Sequence, residues 1–310
     1  MGKLRLALIA GGKSSEREVS LKSGAQVYQA LNKDKYDIRR YDPLSDLERL
    51  VREAHELDAA LIIMHGRGGE DGSMQGLLDL LEVPYQGSGV LASALAMNKE
   101  LSKVIFRQAG LKVPEALAFL RETAPRSQEI KAKLGLPVVI KPANEGSSIG
   151  VTMARTIKEM EHGLSAAFKL DRRVIVEEFI SGIEVTGGVL GNTRLRALPL
   201  VEIIPSDIYA FFDYEAKYQP GATQEICPAR LDADLTQRAQ EFALTAHKAL
   251  GCWGYSRTDM VVREQEIYVL ETNTIPGMTA TSLFPQAAKA AGIDFPHLMD
   301  TQIKLALGKE

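Results

Sequence analysis

Five consecutive apolar residues, Leu6 to Ala10, lead directly into two glycines, and this feature limits the possible folds most strongly. A continuous apolar run of this length is typical of a strand that is buried on both faces of a parallel sheet. Further patterns alternate along the next part of the chain: helical at 19–31, 47–54 and 74–81, and strand-like at 36–41 and 59–64. This alternation predicts an α/β fold with a doubly wound parallel sheet in the N-terminal part.

Two polar loops follow the first and third of these strands, where doubly wound sheets bind ligands. Their sequences are G-G-K-S-S-E over residues 11–16 and H-G-R-G-G-E-D-G over residues 65–72. The first loop lacks the G-x-G-x-x-G spacing, which disfavours a dinucleotide site. Glu16 is either a carboxylate favoured by the dipole at a helix start or an anchor for a substrate ammonium. His65 either caps its strand or, with the glycines after it, marks backbone held close to a ligand.

The pattern changes near residue 95, where we place a domain boundary. A mostly helical stretch over 90–109 carries Lys99, and strand, helix and strand patterns follow at 116–120, 128–134 and 138–141. Lys141 then opens a loop of small residues that ends in a second strand at 151–153. No helix follows this loop and the G-x-x-x-x-G-K-[ST] spacing is absent, which excludes a P-loop. The loop is either an ordinary hairpin tip or a flap whose N–H and O–H groups bind phosphate oxygens.

A helix at 157–168 leads to a strand at 174–176, which continues into Glu177, Phe179, Ile180 and Glu184. The apolar side chains of such a stretch can cover a planar ring, and the acids can bind hydroxyl or amino groups. Solvated acids at a strand edge produce the same pattern. After a predicted hairpin over 184–201, residues 205–228 show no period and are rich in aromatic residues. A segment of this kind is often a functional lid.

Two β-prone runs, 260–262 and 267–270, are joined by a charged link and predict a hairpin. Its open end carries Arg257 and Asp259 on one strand and Glu271 and Asn273 on the other. A two- or four-residue turn alone would turn Glu271 away from Asp259, whereas an odd-numbered turn or a bulge would place the two opposite each other. The oxygens of Asp259, Glu271 and Asn273 suit Mg²⁺, although a solvated hairpin mouth remains an alternative.

Composition excludes several classes of function. The chain has 310 residues, a net charge of −3 and no basic block, so no nucleic-acid partner is expected. No segment approaches the roughly 20 apolar residues that span a bilayer, and the first apolar run is too soon followed by charges for a signal peptide. Cys227 and Cys252 have no metal-ligand spacing, which fits a reducing cytosol, so a cytoplasmic location is expected.

Taken together, these motifs occur in the order found in the ATP-grasp ligases, and within that superfamily the chain resembles the D-alanine–D-alanine ligase family. The resemblance covers essentially the whole sequence. The stretches that carry it, besides the residues above, are 11–20, 65–72, 214–218 (Y-E-A-K-Y) and 273–279 (N-T-I-P-G-M-T) with Ser282 and Leu283. The family implies three lobes, which we place at residues 1–95, 96–182 and 183–310.

The resemblance implies an ATP site between the second and third lobes. The residues that would bind ATP are Lys99, Lys141, Glu145, Ser147, Ser148, Glu177, Phe179, Ile180, Glu184, Lys217 and Asn273. Asp259, Glu271 and Asn273 would hold two Mg²⁺, with Mn²⁺ as a possible substitute. The reaction implied joins two D-alanine molecules through a D-alanyl phosphate.

For this reaction the resemblance implies five catalytic residues: Glu16, Ser147, Tyr218, Arg257 and Gly277. Arg257 and the N–H of Gly277 would stabilise the oxyanion. The substrate-binding residues implied are Glu16, His65, Ser282 and Leu283. A homodimer is expected from the family alone.

One residue departs from the family pattern. Phe212 stands where many members have Tyr, which leaves the lid contacts at that position open. Tyr218 resembles the type that adds D-alanine, rather than D-lactate or D-serine. Competing hypotheses are another ATP-grasp carboxylate–amine ligase, a nucleotide-binding protein without catalysis, and a Rossmann oxidoreductase, which the missing glycine fingerprint disfavours.

Overall fold

A computed structural model of the protein describes residues 2–144, 149–205 and 223–309. The described strands are β1 (Leu4–Ala10), β2 (Tyr36–Tyr41), β3 (Ala59–Ile63), β4 (Ala116–Leu120), β5 (Val138–Pro142), β6 (Thr152–Ala154), β7 (Arg173–Glu178), β8 (Ile183–Leu190), β9 (Arg196–Ala197), β10 (Val201–Pro205), β11 (Thr223–Ile226), β12 (Tyr255–Arg263) and β13 (Glu266–Asn273). The described α-helices are α1 (Arg17–Ala30), α2 (Leu47–Glu53), α3 (Ser73–Leu80), α4 (Val90–Met97), α5 (Lys99–Gln108), α6 (Ser127–Leu134), α7 (Ile157–Leu170), α8 (Ala233–Ala249), α9 (Leu283–Ala290) and α10 (Phe295–Ala306).

The N-terminal strands form the predicted parallel sheet, in the order β2-β1-β3. All five residues of β3 are buried, as are Leu6 to Ile9 of β1, because helices cover both faces of the sheet. One of its faces shares a hydrophobic cluster with Tyr255, Phe284 and Leu298, which belong to the C-terminal part of the chain. The N-terminal sheet therefore depends on the last two helices for part of its cover.

Two antiparallel sheets make up the remainder. The first has the order β4-β7-β5-β6, and the second has the order β11-β10-β8-β12-β13, with β9 paired to β8. Strands β5 and β6 are antiparallel neighbours, which confirms the predicted β-loop-β arrangement around the small-residue loop. Together the three sheets confirm the mixed α/β fold class. Each sheet lies within one predicted lobe, and the exact lobe limits stay a prediction.

Two local features differ from the sequence-based expectation. The helical stretch 90–109 is divided at Asn98, whose side chain accepts a hydrogen bond from the N–H of Leu101 and so caps α5. The segment 205–228, predicted to be irregular, ends in a strand, β11, which pairs with β10. Within the described residues, no helix is long and apolar enough to cross a membrane.

Candidate active site

The hairpin of β12 and β13 brings its four predicted residues together through a bulge. Its turn has two residues between the paired Arg263 and Glu266, which alone would leave Glu271 out of register with Asp259. The register shifts between Asp259 and Met260, however, and passes over Leu270, so that Asp259 pairs with Glu271. Arg257 pairs with Asn273 on the same face. The sequence predicted that the connection is either odd-numbered or bulged, and the bulge is confirmed.

Asp259 is the most tightly held carboxylate of this face. It is buried, with only 6% of its surface exposed, and Arg257 donates to its two oxygens at 2.8 and 2.7 Å. Thr186 on β8 donates to Oδ1 at 2.7 Å, and the amide of Asn273 lies 3.3 Å from Oδ2. Charge-assisted bonds of this kind are short and strong and fix the position of a carboxylate. The side-chain oxygens therefore keep a defined geometry before any ligand binds.

Three lysines approach the same region from α5 and β5. Lys99 Nζ lies 3.7 Å from Glu271 Oε2, and Lys141 Nζ donates to Glu177 Oε2 at 2.9 Å. Lys103, one helical turn after Lys99, lies 3.1 Å from the other Glu177 oxygen. Sequence reasoning did not include Lys103. The i, i+4 spacing from Lys99 was the available signal, since residues four apart share a helix face.

Charge pairing sets the direction of the pKa shifts of Glu177 and Lys141, whereas burial outweighs the charge of Glu177 at Lys103 and lowers the pKa of that lysine. Burial alone would raise the pKa of Glu177, but Lys103 and Lys141 outweigh it and hold that pKa below its usual value. Burial likewise works to lower the pKa of Lys141, yet the carboxylates of Glu177, Glu271 and Glu184 raise it overall. Lys141 therefore stays cationic beside the carboxylates of the site, as a group that binds phosphate must.

The two N-terminal loops meet at Glu16 and His65. The Ser14 hydroxyl donates to the carbonyl oxygen of His65 at 2.6 Å. Gly66 has a positive φ of +72°, and a Cβ built there would lie 2.5 Å from Oε2 of Glu16, so the buried Glu16 carboxylate rests against this backbone. The His65 ring lies 3.3 Å from Glu70 Oε1 and 3.3 Å from the Ser23 hydroxyl.

Glu70 links these loops to the hairpin. A cleft is lined by Glu70 together with Lys99, Glu271, Thr272 and Asn273. Sequence reasoning named the loop 65–72 but did not select Glu70 within it. The cleft therefore joins residues from the N-terminal loops, from α5 and from β13 in one place.

The segment after β13 contains three further predicted site residues, Gly277, Ser282 and Leu283. Ser282 precedes α9, its hydroxyl accepts from the N–H of Thr279 at 3.1 Å, and a Cβ on Gly277 would lie 3.0 Å from it. Gly277 and Ser282 are thus in close contact, and Leu283 begins the helix as a buried residue. A helix start offers free N–H groups to a carboxylate.

Ile180 and Glu184 lie beside the hairpin, and Phe179 lies directly after β7. Ile180 packs in a small hydrophobic cluster with Val261, Tyr268 and Leu270. Phe179 follows β7 with its N–H bonded to Pro137, and Glu184 lies in β8 opposite Val261. Five predicted residues lie outside the described residues: Glu145, Ser147, Ser148, Lys217 and Tyr218, as does Phe212.

Comparison with known proteins decides the family. Residues 105–304 match the family model described as the D-ala D-ala ligase C-terminus. Residues 5–46 and 42–88 match the corresponding D-ala D-ala ligase N-terminus. The chain belongs to the D-alanine–D-alanine ligase family. The family resemblance predicted from the sequence motifs is therefore confirmed.

Individual relatives of this D-alanine–D-alanine ligase family member are similar over nearly their whole length. The D-alanine–D-alanine ligase of Syntrophobacter fumaroxidans is 58% identical over 98% of both chains. A solved structure of the Bacillus anthracis D-alanine–D-alanine ligase complexed with ATP has a TM-score of 0.87 and 34% identity, covering 98% of each chain. The VanG D-Ala:D-Ser ligase from Enterococcus faecalis is also similar, with a TM-score of 0.84 and 34% identity, covering 98% of this chain and all of that one.

Proposed function

We propose that this chain is an ATP-dependent ligase that joins two D-alanine molecules to form D-alanyl-D-alanine, ADP and phosphate. The observation that carries the proposal is the end of the β12–β13 hairpin, where Arg257 pairs with Asn273 and Asp259 pairs with Glu271. Glu271 and Asn273 line a cleft there together with Lys99 of α5. This arrangement combines cations for phosphate with oxygen ligands for a metal, in a chain that belongs to the D-alanine–D-alanine ligase family. The product would serve peptidoglycan precursor synthesis, in the cytoplasm.

ATP would lie between the sheet of β4 to β7 and the sheet of β8 to β13. Lys99 and Lys141, which lie beside Glu271 and Glu177, would bind phosphate oxygens, and Ile180 with its apolar neighbours would contact the adenine ring. Glu184 would bind the ribose hydroxyls and Phe179 would contact the base. Glu177, whose two carboxylate oxygens each lie beside a lysine, would in addition accept a hydrogen bond from adenine. Glu145, Ser147 and Ser148 would cover the phosphates, and Lys217 would reach the γ-phosphate.

The donor set fits divalent metal ions. Among the described residues there is no cluster of three or more His, Cys, Asp or Glu side chains placed for a metal. The set here has two carboxylates and one carboxamide, which suits Mg²⁺ because that ion keeps water and substrate phosphates in its shell. Asp259, Glu271 and Asn273 would hold two Mg²⁺, with Mn²⁺ able to replace them. When bound, these ions would neutralise charge that develops on the transferred phosphoryl group.

The reaction would proceed in two steps. A carboxylate oxygen of the first D-alanine attacks the γ-phosphorus of ATP, and ADP leaves. The amine of the second D-alanine then attacks the acyl carbon, the C–O bond to phosphate breaks, and the amine proton is lost. Glu16, buried between the two N-terminal loops, would bind the ammonium of the first D-alanine, and His65 would contact the same substrate.

The second step needs an oxyanion site and a carboxylate site. Arg257 and the N–H of Gly277 would stabilise the negative oxygen of the tetrahedral intermediate. Ser282 and the start of α9 at Leu283 would receive the carboxylate of the second D-alanine. Ser147 and Tyr218 would orient this amine and assist its deprotonation. A closed flap and lid would exclude water, since an acyl phosphate hydrolyses readily.

The test is a turnover assay with purified protein. Phosphate release from ATP should require both D-alanine and Mg²⁺ and should not respond to L-alanine. A panel of D-serine and D-lactate as second substrates separates this activity from related ligases, and a homodimer is expected by light scattering. A protein that releases no phosphate in response to D-alanine at any Mg²⁺ concentration would contradict the proposal.

A further inference from the structure

Lys103 is a buried cation with partners on two different sheets. Only 1% of its surface is exposed. Its Nζ lies 3.1 Å from Oε1 of Glu177 on β7 and donates to the carbonyl oxygen of Leu270 on β13 at 3.1 Å. A buried ammonium is unfavourable unless it is paired, so these two contacts offset part of the cost of burying Lys103. Lys103 therefore links strand β7 to the β12–β13 hairpin.

Leu270 is the residue at which the hairpin changes register. The pairing passes from Met260 and Val269 to Asp259 and Glu271, leaving Leu270 as the additional residue of the bulge. Strand β13 is also the last strand of its sheet, so one of its edges has no neighbouring strand within the described residues. A bulge on an edge strand needs another contact to define it, because the regular ladder is interrupted there.

Neutralising Glu177 does not account for Lys103 by itself. Lys141 already donates to the opposite oxygen of Glu177 at 2.9 Å. The contact unique to Lys103 is the one to the Leu270 carbonyl, one residue before Glu271. Movement of that carbonyl would rotate the peptide that joins Leu270 to Glu271 and change the direction of the Glu271 side chain.

We infer that Lys103 is a positioning residue that holds the bulge at Leu270 and thereby keeps Glu271 opposite Asp259 for metal binding. The inference rests on the proposed function for its metal site but not on the identity of the amino-acid substrates. Lys103 would contact no reacting atom. It acts through the backbone of β13.

The test compares two variants that differ from each other only at position 103. Glu177→Gln removes the buried carboxylate charge and leaves the Lys103–Leu270 bond intact. Lys103→Met combined with Glu177→Gln also removes that bond without leaving an unpaired buried carboxylate. Mn²⁺ binding is measured by the loss of the free-ion electron paramagnetic resonance signal, at an ADP concentration that saturates each variant.

The double variant should bind Mn²⁺ at least about tenfold more weakly than Glu177→Gln, as expected when a group that orients a metal ligand is lost. Backbone amide hydrogen exchange over residues 269–273 should also become faster. Lys112→Met is the matched control, because Lys112 pairs with Glu266 at the exposed end of the same hairpin. This control should bind Mn²⁺ like the wild type.

Equal Mn²⁺ affinity in the two variants, or unchanged hydrogen exchange at residues 269–273, would overturn the inference. If the double variant does not fold, Lys103→Gln in the wild-type background replaces it, since the shorter amide cannot reach both Glu177 and Leu270. Failure of the proposed function gives a different result. Mn²⁺ binding with ADP would still depend on Lys103, but the wild-type protein would form no dipeptide from ATP and D-alanine.

Discussion

Asp259 and Glu271 face each other across two strands only because Leu270 is inserted between the regular pairs of the β12–β13 hairpin. Two carboxylates on directly opposite residues of paired strands repel each other unless cations lie near them. Arg257 supplies one such cation to Asp259, and Lys99 lies 3.7 Å from Glu271. The hairpin thus brings together negative charges that a bound metal would stabilise further.

Replacing Glu271 by Gln should abolish most turnover while the protein stays folded. The change keeps the shape of the side chain but removes a charge at the position where electrostatic stabilisation matters most. We expect the turnover number to fall by roughly 100-fold or more. Glu264→Gln, at the exposed turn of the same hairpin, is the control and should keep wild-type turnover. Near-normal turnover of the Glu271→Gln variant would show that Glu271 has no role in the reaction.

Glycine 66 provides a test of the Glu16 site. A Cβ at Gly66 would lie 2.5 Å from Glu16 Oε2, so Gly66→Ala should displace the carboxylate and raise the KM for D-alanine by about tenfold. Gly110→Ala is the matched control, because Gly110 has a similar φ of +80° and no described residue other than its chain neighbours would lie within 4 Å of the added Cβ. Both changes should cost about 1–2 kcal/mol of stability from backbone strain. An equal KM in the two variants would show that Glu16 does not bind the substrate.

Histidine 247 should make the stability of the protein sensitive to acid. Burial, with a contribution from Lys248, lowers the pKa of His247 to about 4. Its Nδ1 lies 2.7 Å from the Ser256 hydroxyl, and Nε2 has no hydrogen-bond partner among the described residues. Since the folded-state pKa lies below the unfolded value, the stabilisation is fully present above pH 6.5 and is lost as the pH falls toward 4.

The expected loss from this single group is about 3 kcal/mol between pH 7 and pH 4. Urea unfolding across this range should therefore show a stability difference between wild type and His247→Gln that shrinks on acidification. His55→Gln, at a site whose side chain is 77% exposed, is the control and should follow the wild-type pH dependence. A difference that stays constant with pH would contradict the assignment.

Patterning made the main elements of this fold predictable. The runs of β1 and β3 are apolar at consecutive positions, and the helices between them repeat with a helical period, so their type follows from burial alone. The division of residues 90–109 was also accessible, because Asn98 is a favoured helix-capping residue. Strand β11 was not, since its residues Thr223 to Ile226 have no pattern apart from their pairing with β10.

Register and long-range charge pairing could not be predicted from local sequence. The hairpin alternatives differed by one residue, and no glycine or proline marks the bulge at Leu270. Lys103 and Glu177 are far apart along the chain, and their pairing depends on how α5 lies against β7. Glu177 was predicted to border the adenine ring, and its burial between two lysines is visible only in three dimensions.

The fate of the carboxylate oxygens of D-alanine shows whether a D-alanyl phosphate forms. The protein is given ATP and D-alanine labelled with ¹⁸O at both carboxylate oxygens, and the products are identified by mass spectrometry. If a D-alanyl phosphate forms, each D-alanyl-D-alanine molecule is accompanied by one phosphate that carries one ¹⁸O atom, because the attacking oxygen leaves with the phosphoryl group. Dipeptide with unlabelled phosphate would contradict the mechanism, and the absence of dipeptide would contradict the function.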